Sequence, residues 1–135
     1  MRTHILSMTL GDKIDAVFDG ECGQTIRLIR NDAPWYVGDK IIAHTWAGKP
    51  YRSPWARRLD THVKELRYLY LEKGVGWFES AGPYTRQPIG DMLTEQDLDE
   101  LARLDFIRPP TASALIHTLM GLNGLNYHQM YEVIS

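Results

Sequence analysis

The chain has 135 residues, 44% of them hydrophobic, which is enough apolar material for one core and too little length for two ordinary domains. A formal charge of -2 and a pI near 6.2 argue against a protein that coats nucleic acid through overall charge, while leaving room for a local basic face. The single cysteine, Cys22, excludes an intrachain disulfide and fits a reducing compartment, so the cytoplasm is the expected location.

The opening MRTHILSMTLGDKIDAV is interrupted by polar and charged side chains before any run long enough for a signal sequence, and no stretch approaches a membrane span. Within it HILSM alternates loosely and predicts a short strand. Thr9 can cap a helix on which Ile14, Val17 and Phe18 fall at helical spacing, with Gly20 as its stop. QTIRLIR mixes branched and polar residues as a strand does, and the turn-rich NDAPWYVGD leads into a second strand, KIIAHTW. AGKPYRSPWARRL carries two prolines and several bulky or basic side chains without a clear period, which predicts an ordered surface loop.

Further along, VKELRYLYLEK predicts a strand with Leu66, Tyr68 and Tyr70 on one face, and VGWFES continues the sheet. Thr94, with the acidic Asp97 three positions on, predicts a capped helix whose apolar stripe is Leu98, Leu101 and Ala102. Pro109 and Pro110 break the chain, and Thr111 starts another helix through Ala114, Leu115 and Leu119. GLNGLN turns that helix into a last strand, QMYEVI. Strands and helices are mixed without a βαβ rhythm. The expected fold is therefore α+β, one domain over residues 1–135, with a small mixed or antiparallel barrel and flanking helices.

Basic and aromatic residues concentrate in the first half: Arg27, Arg30, Lys40, Lys49, Arg52, Arg57 and Arg58 are interleaved with Trp35, Trp46, Tyr51 and Trp55. Guanidinium groups make forked contacts to phosphate, and flat rings stack on bases at roughly 1–3 kcal/mol each, so single-stranded or structured RNA is the partner such a face suits best. The bland alternative is that the arginines solvate a loop while the tryptophans pack. Pro50 and Pro54 brace Tyr51, Arg52 and Trp55, which would limit the entropy lost on ordering around a ligand.

His4, His44, His62, His117 and His128 are dispersed and Cys22 has no paired ligand nearby, so neither a metal nor another cofactor is expected. A catalytic thiol at Cys22 would need a histidine brought close by the fold and an electropositive setting. GLNGLN lacks the lysine and the strand-to-helix context of a phosphate-binding loop.

Three segments together resemble the ASCH family, a branch of the barrels related to the pseudouridine synthase and archaeosine transglycosylase RNA-binding domain. They are DAVFDGECGQTIRL, VGDKIIAHTW and LTEQDLDELARLDF, in which Gly20, Thr25, Arg27 and Val37-Gly38-Asp39 match in order and approximate spacing. The resemblance implies a small barrel with a cleft beside the glycine-to-arginine segment for RNA or a modified nucleoside. It also implies a site of lysine, threonine and carboxylate, with which some small members hydrolyse acylated cytidine. Carried over, the threonine falls on Thr25 and the carboxylate on Asp105, whereas the lysine position falls on Cys22. A thiol there departs from the family pattern and would need its own activation.

Three readings follow. The leading one is RNA binding through a basic-aromatic cleft built from Arg27, Lys40, Trp46, Lys49, Tyr51, Arg52, Trp55, Arg57 and Arg58. The second is a small hydrolase acting on a modified nucleoside or RNA through Thr25, Asp105 and Cys22. The third is a protein-interaction module that docks through the aromatic loop. The first two expect the turn after the first helix and the proline-braced segment to border one shared hollow.

Overall fold

A computed structural model describes residues 2–8, 11–20, 22–29, 34–121 and 124–135. Among these residues seven strands and three helices follow one another as β1 (Thr3–Ser7), α1 (Gly11–Phe18), β2 (Thr25–Leu28), β3 (Lys40–Trp46), β4 (Trp55–His62), β5 (Leu66–Glu72), β6 (Gly76–Ser80), α2 (Glu95–Leu104), α3 (Ala112–Met120) and β7 (Tyr131–Ile134). The fold is α+β. The expected cap at Thr9 and part of the GLNGLN turn lie outside the described residues.

The strands form two sheets. One has the order β1-β3-β4, with β1 parallel to β3 and β4 antiparallel to it. The other is antiparallel throughout, in the order β2-β7-β5-β6. Among the described residues no ladder joins the two, so the expected barrel is not closed by hydrogen bonds. Side chains join them instead: Trp35, Ile41, Val63 and Ile134 form a buried cluster between the sheets, with Leu6 and Leu66 packed against it.

The period-2 pattern of β5 decides which face meets what. Leu69 and Leu71 point to the main core, where they meet Trp77, Tyr131 and Val133 and the apolar stripes of α2 and α3. Leu66, Tyr68 and Tyr70 share the opposite face, as their spacing predicts. On that second face Arg27, Glu132, Tyr68 and Ser80 stand side by side across all four strands.

Helix ends follow their local chemistry. The Thr94 hydroxyl accepts from Asp97 N at 3.1 Å while the Asp97 carboxylate accepts from Thr94 N at 2.8 Å, a complete capping box. Thr111 caps α3 by accepting from Ala114 N at 3.1 Å. Gly20 ends the α1 segment at φ 81, a conformation that suits glycine.

One expectation needs correction. Residues 47–59 were expected to form a loop throughout, yet Trp55–His62 is strand β4, and only residues 47–54 turn the β3–β4 hairpin. As the edge of its sheet β4 is mostly exposed on both faces, so it needs no apolar alternation and tolerates its run of charges. No helix among the described residues is long and apolar enough to cross a membrane.

Candidate functional site

Two hollows and one exposed platform gather the chemically capable side chains. The first hollow, about 260 Å³, lies where α1 and the approach to β2 meet the β3–β4 sheet, and Lys13, Cys22, Thr25, Thr61, His62 and Lys64 are among its lining residues. α1 is anchored by Ala16, which is buried, and this orients Lys13 from the preceding turn toward the C-terminus of α2. There its ammonium donates to Asp105 Oδ1 at 3.0 Å, with both side chains nearly buried. Burial pushes the Asp105 carboxyl up to about 6, and the Lys13 ammonium pulls in the opposite direction. An ammonium has three N–H donors, so a lysine held by one carboxylate oxygen retains others for a carbonyl or anionic group in the hollow.

Cys22 is buried, and its thiol donates to the carbonyl oxygens of Gln24 at 3.5 Å and Leu104 at 3.7 Å. The neighbouring Gln24 amide donates to Leu101 O at 3.1 Å, so this turn is stitched to the end of α2. Thr25 and Cys22 thus line one hollow, and Asp105 is tied to it through Lys13. Asp105 stands behind Lys13 and does not itself line the hollow. Lys13 is the residue that sequence reasoning missed, because helical spacing gave no reason to single out one polar position of a short helix.

The platform is the β3–β4 hairpin. Trp46 and Trp55 face each other across its two strands, and Trp55 stacks on His44 with ring centroids 4.0 Å apart and planes at 15°. Tyr51 leans on Trp46 at 5.3 Å and is 87% exposed at the tip. Ser53 braces the turn: its hydroxyl donates to Lys49 O at 2.8 Å and accepts from Gly48 N at 3.0 Å. Beneath Trp55, His44 is 1% exposed. Its Nε2 shares a hydrogen bond with the Ser7 hydroxyl at 3.1 Å, while Nδ1 has no partner among the described residues.

The cations around this platform are not equivalent. Arg58 grips Asp60 with two hydrogen bonds, 2.7 and 3.0 Å, and Lys40 contacts the same carboxylate at 3.2 Å. Those contacts, Arg58 foremost, pull the Asp60 carboxyl down to about 2. Arg57 pairs with Asp15 of α1 at 2.8 Å and lies over Phe18 at 4.3 Å. Lys49 and Arg52 make no ion pair among the described residues. The Arg58 guanidinium also sits 5.9 Å from the centre of Trp55.

The second hollow, about 300 Å³, opens over the second face of the four-stranded sheet, and Trp35, Tyr36, Tyr68, Tyr84 and Glu132 are among its lining residues. Trp35 is set by stacking on His4, 3.7 Å between centroids. His4 in turn contacts Asp39 at 2.8 Å, and Asp39 also accepts from the Arg2 and Tyr36 amides at 3.1 and 3.0 Å. Burial works to raise the Asp39 carboxyl, but these donors outweigh it and hold it below the usual carboxylate range. This buried pair is a structural pin. Arg27 sits with its guanidinium carbon 5.9 Å from the Trp35 ring centre, and although it lies two residues from Thr25 on one strand face it lines neither hollow.

The expected shared hollow is not what these positions form. None of Trp46, Lys49, Tyr51, Arg52 or Trp55 lines any of the hollows described, whereas Thr25 and Cys22 line the first. The hairpin reaches the first hollow only through its strands, at Ile41, Ala43, Leu59, Thr61 and His62. Comparison with family models, with curated proteins and with solved structures finds no match to this chain.

Proposed function

We propose that this chain is a binding domain for single-stranded nucleic acid, RNA in particular, and that the β3–β4 hairpin is its contact surface. The observation that carries the reading is the layered arrangement of Trp55: one face rests on His44, its edge meets Trp46, and the ring stays 37% exposed beside Arg58. A ring held from below offers a base a rigid stacking surface at little entropic cost. Tyr51 supplies a second ring, and Lys49 and Arg52 supply charge for phosphate. The resemblance to the ASCH family agrees with this reading, with the two packed sheets taken as an opened form of its barrel. A cytoplasmic location belongs to the same proposal.

Fluorescence anisotropy with a labelled single-stranded RNA of about ten nucleotides tests it. Affinity should fall with rising salt with a slope of roughly -0.7 per phosphate neutralised. Trp55→Ala should weaken binding by about 1–3 kcal/mol. Absence of association at low ionic strength, or a Trp55→Ala protein that binds as the parent does, would remove the reading.

A second reading is favoured by Lys13. The resemblance implies a lysine, threonine and carboxylate site for hydrolysis of acylated cytidine, and Cys22 occupies the lysine's sequence position. Lys13 brings an amine from α1 into the hollow that Thr25 also lines, bound to Asp105. In this reading the Lys13 ammonium and the Thr25 hydroxyl would hold the substrate carbonyl oxygen, and Asp105 would set the lysine's position. Incubation with N4-acetylcytidine, followed by chromatography for cytidine and acetate, tests it; turnover surviving Lys13→Met would end it.

A further inference from the structure

The second hollow combines features that the hairpin and the Lys13 site do not use. Its walls mix aromatic and aliphatic side chains, Trp35 and Tyr68 with Ile29, Val37 and Leu66, and the rings of Tyr36 and Tyr84 are exposed, 61% and 64% accessible. Its volume of about 300 Å³ is at the small end for ligand pockets and fits one base or nucleoside better than a strand. Among the described lining residues one carries a carboxyl group, Glu132, which is 4% exposed on the central strand β7.

A carboxyl group at that depth is costly without partners. Among the described residues it accepts no side-chain or backbone hydrogen bond from a neighbour. Its flanking positions in the sheet are Arg27 on β2 and Tyr68 on β5. Burial pushes it up to about 7, with the Arg27 charge opposing. Among the described residues the titratable groups around it are Arg27 from β2, Tyr68 from β5, Tyr36 from the 34–39 turn and Tyr84 from the segment after β6. Arg27 thus stands next to Glu132 in the sheet, beside the hollow and outside its lining residues, with its guanidinium over Trp35.

The flat rings of this lining select a planar ligand, and the pair of polar groups selects its edge. A carboxylate is an acceptor with two oxygens, and a guanidinium is a fork of donors. Side by side they complement an edge that carries two adjacent N–H donors followed by a carbonyl acceptor. We infer that this hollow is a binding site for a guanine-type base: Glu132, which lines it, accepts from the ring N–H and the exocyclic amine, Arg27 donates to the carbonyl oxygen from its place beside the hollow, and the base lies between the rims formed by Tyr36 and Tyr84. An adenine edge places an acceptor where Glu132 needs a donor. A simple quaternary ammonium would meet the Arg27 charge and leave the carboxylate without a donor.

The inference stands apart from both proposed activities, because a single nucleotide tests it without spanning the hairpin or entering the Lys13 hollow as an acylated substrate. Isothermal titration with guanosine, inosine and adenosine 5′-monophosphates isolates the base edge, since all three share one ribose phosphate. The guanosine nucleotide should bind, the inosine nucleotide, which lacks the exocyclic amine, several-fold more weakly, and the adenosine nucleotide at least about tenfold more weakly, as sites that hydrogen-bond a ligand reject analogues lacking the donor. Glu132→Gln should lose about tenfold or more for guanosine monophosphate. Tyr84→Ala, a change at the exposed rim, should lose about threefold to tenfold and serves as the second variant should the buried substitution disturb folding. Equal affinity for the guanosine and adenosine nucleotides, tightest binding by tetramethylammonium, or no binding by the guanosine nucleotide at millimolar concentration would overturn the assignment.

Discussion

Replacing Lys13 by methionine isolates the electrostatics of the first hollow. The ammonium and the Asp105 carboxylate are 3.0 Å apart, with side chains 13% and 8% exposed, and removing one partner of such a pair costs about 3–5 kcal/mol while the survivor stays charged. A carboxyl group can escape that cost by taking up a proton. With Lys13 present, burial already holds Asp105 at about 6, so without the lysine its pKa moves higher still. Because the folded value lies above the unfolded one, the Asp105 contribution to stability is fully present below the unfolded value near pH 4 and is lost as pH rises through the folded value. In the variant that loss continues beyond pH 6. Urea unfolding at pH 8 should therefore show Lys13→Met less stable by about 3 kcal/mol, whereas at pH 5, with the buried acid mostly protonated in both proteins, the difference should shrink to about 1 kcal/mol, the worth of a hydrogen bond. The double variant Lys13→Met/Asp105→Asn should recover most of the loss at pH 8. A stability difference that is the same at both pH values would refute the argument, because it would mean that lost packing and not an unpaired charge sets the cost.

Other outcomes follow from the same geometry. Glu132, held at about 7 by burial, makes the protein lose stability as pH rises from 5 to 8. Glu132→Gln should reduce that loss by about 2 kcal/mol in denaturant titrations, and an unchanged pH profile would contradict it. Cys22, 4% exposed with its hydrogen on two carbonyls, should react with a thiol reagent far more slowly in the native protein than in urea; reaction at the rate of a free thiol would show that the turn before β2 opens readily. Gly38, at φ 93 with open space where a Cβ would sit, should cost roughly 1–2 kcal/mol on change to alanine from backbone strain alone, measured as a lowered Tm, and a neutral result would show that the 34–39 turn relaxes.

Much of the local structure was legible because it depends on neighbours in the chain. Thr94 and Thr111 cap their helices as their positions predict, and KIIAHTW is a strand because branched residues fill a face-to-face interior. β4 escaped detection for the opposite reason: an exposed edge strand carries no alternation to read, and Pro50 and Pro54 made the whole segment resemble a loop. The pairing of Trp46 with Trp55 depends on that missed strand. Glu132 was invisible as a site residue because a lone acid in QMYEVI reads as the polar position of a half-buried strand.

The amino-acid sequence alone determined the α+β class, the strong helix caps, and the crowding of basic and aromatic residues into the first half, since each follows from residue type and short spacing. Tertiary structure decided everything that needs two distant segments to meet: two sheets packed through side chains with no ladder between them among the described residues, Lys13 against Asp105, and the proline-braced hairpin tip set apart from the hollow that holds Thr25. It also decided that Arg27 and Glu132 are neighbours, because strand order is set by how apolar faces are buried together, and that information is not carried by any single stretch of chain.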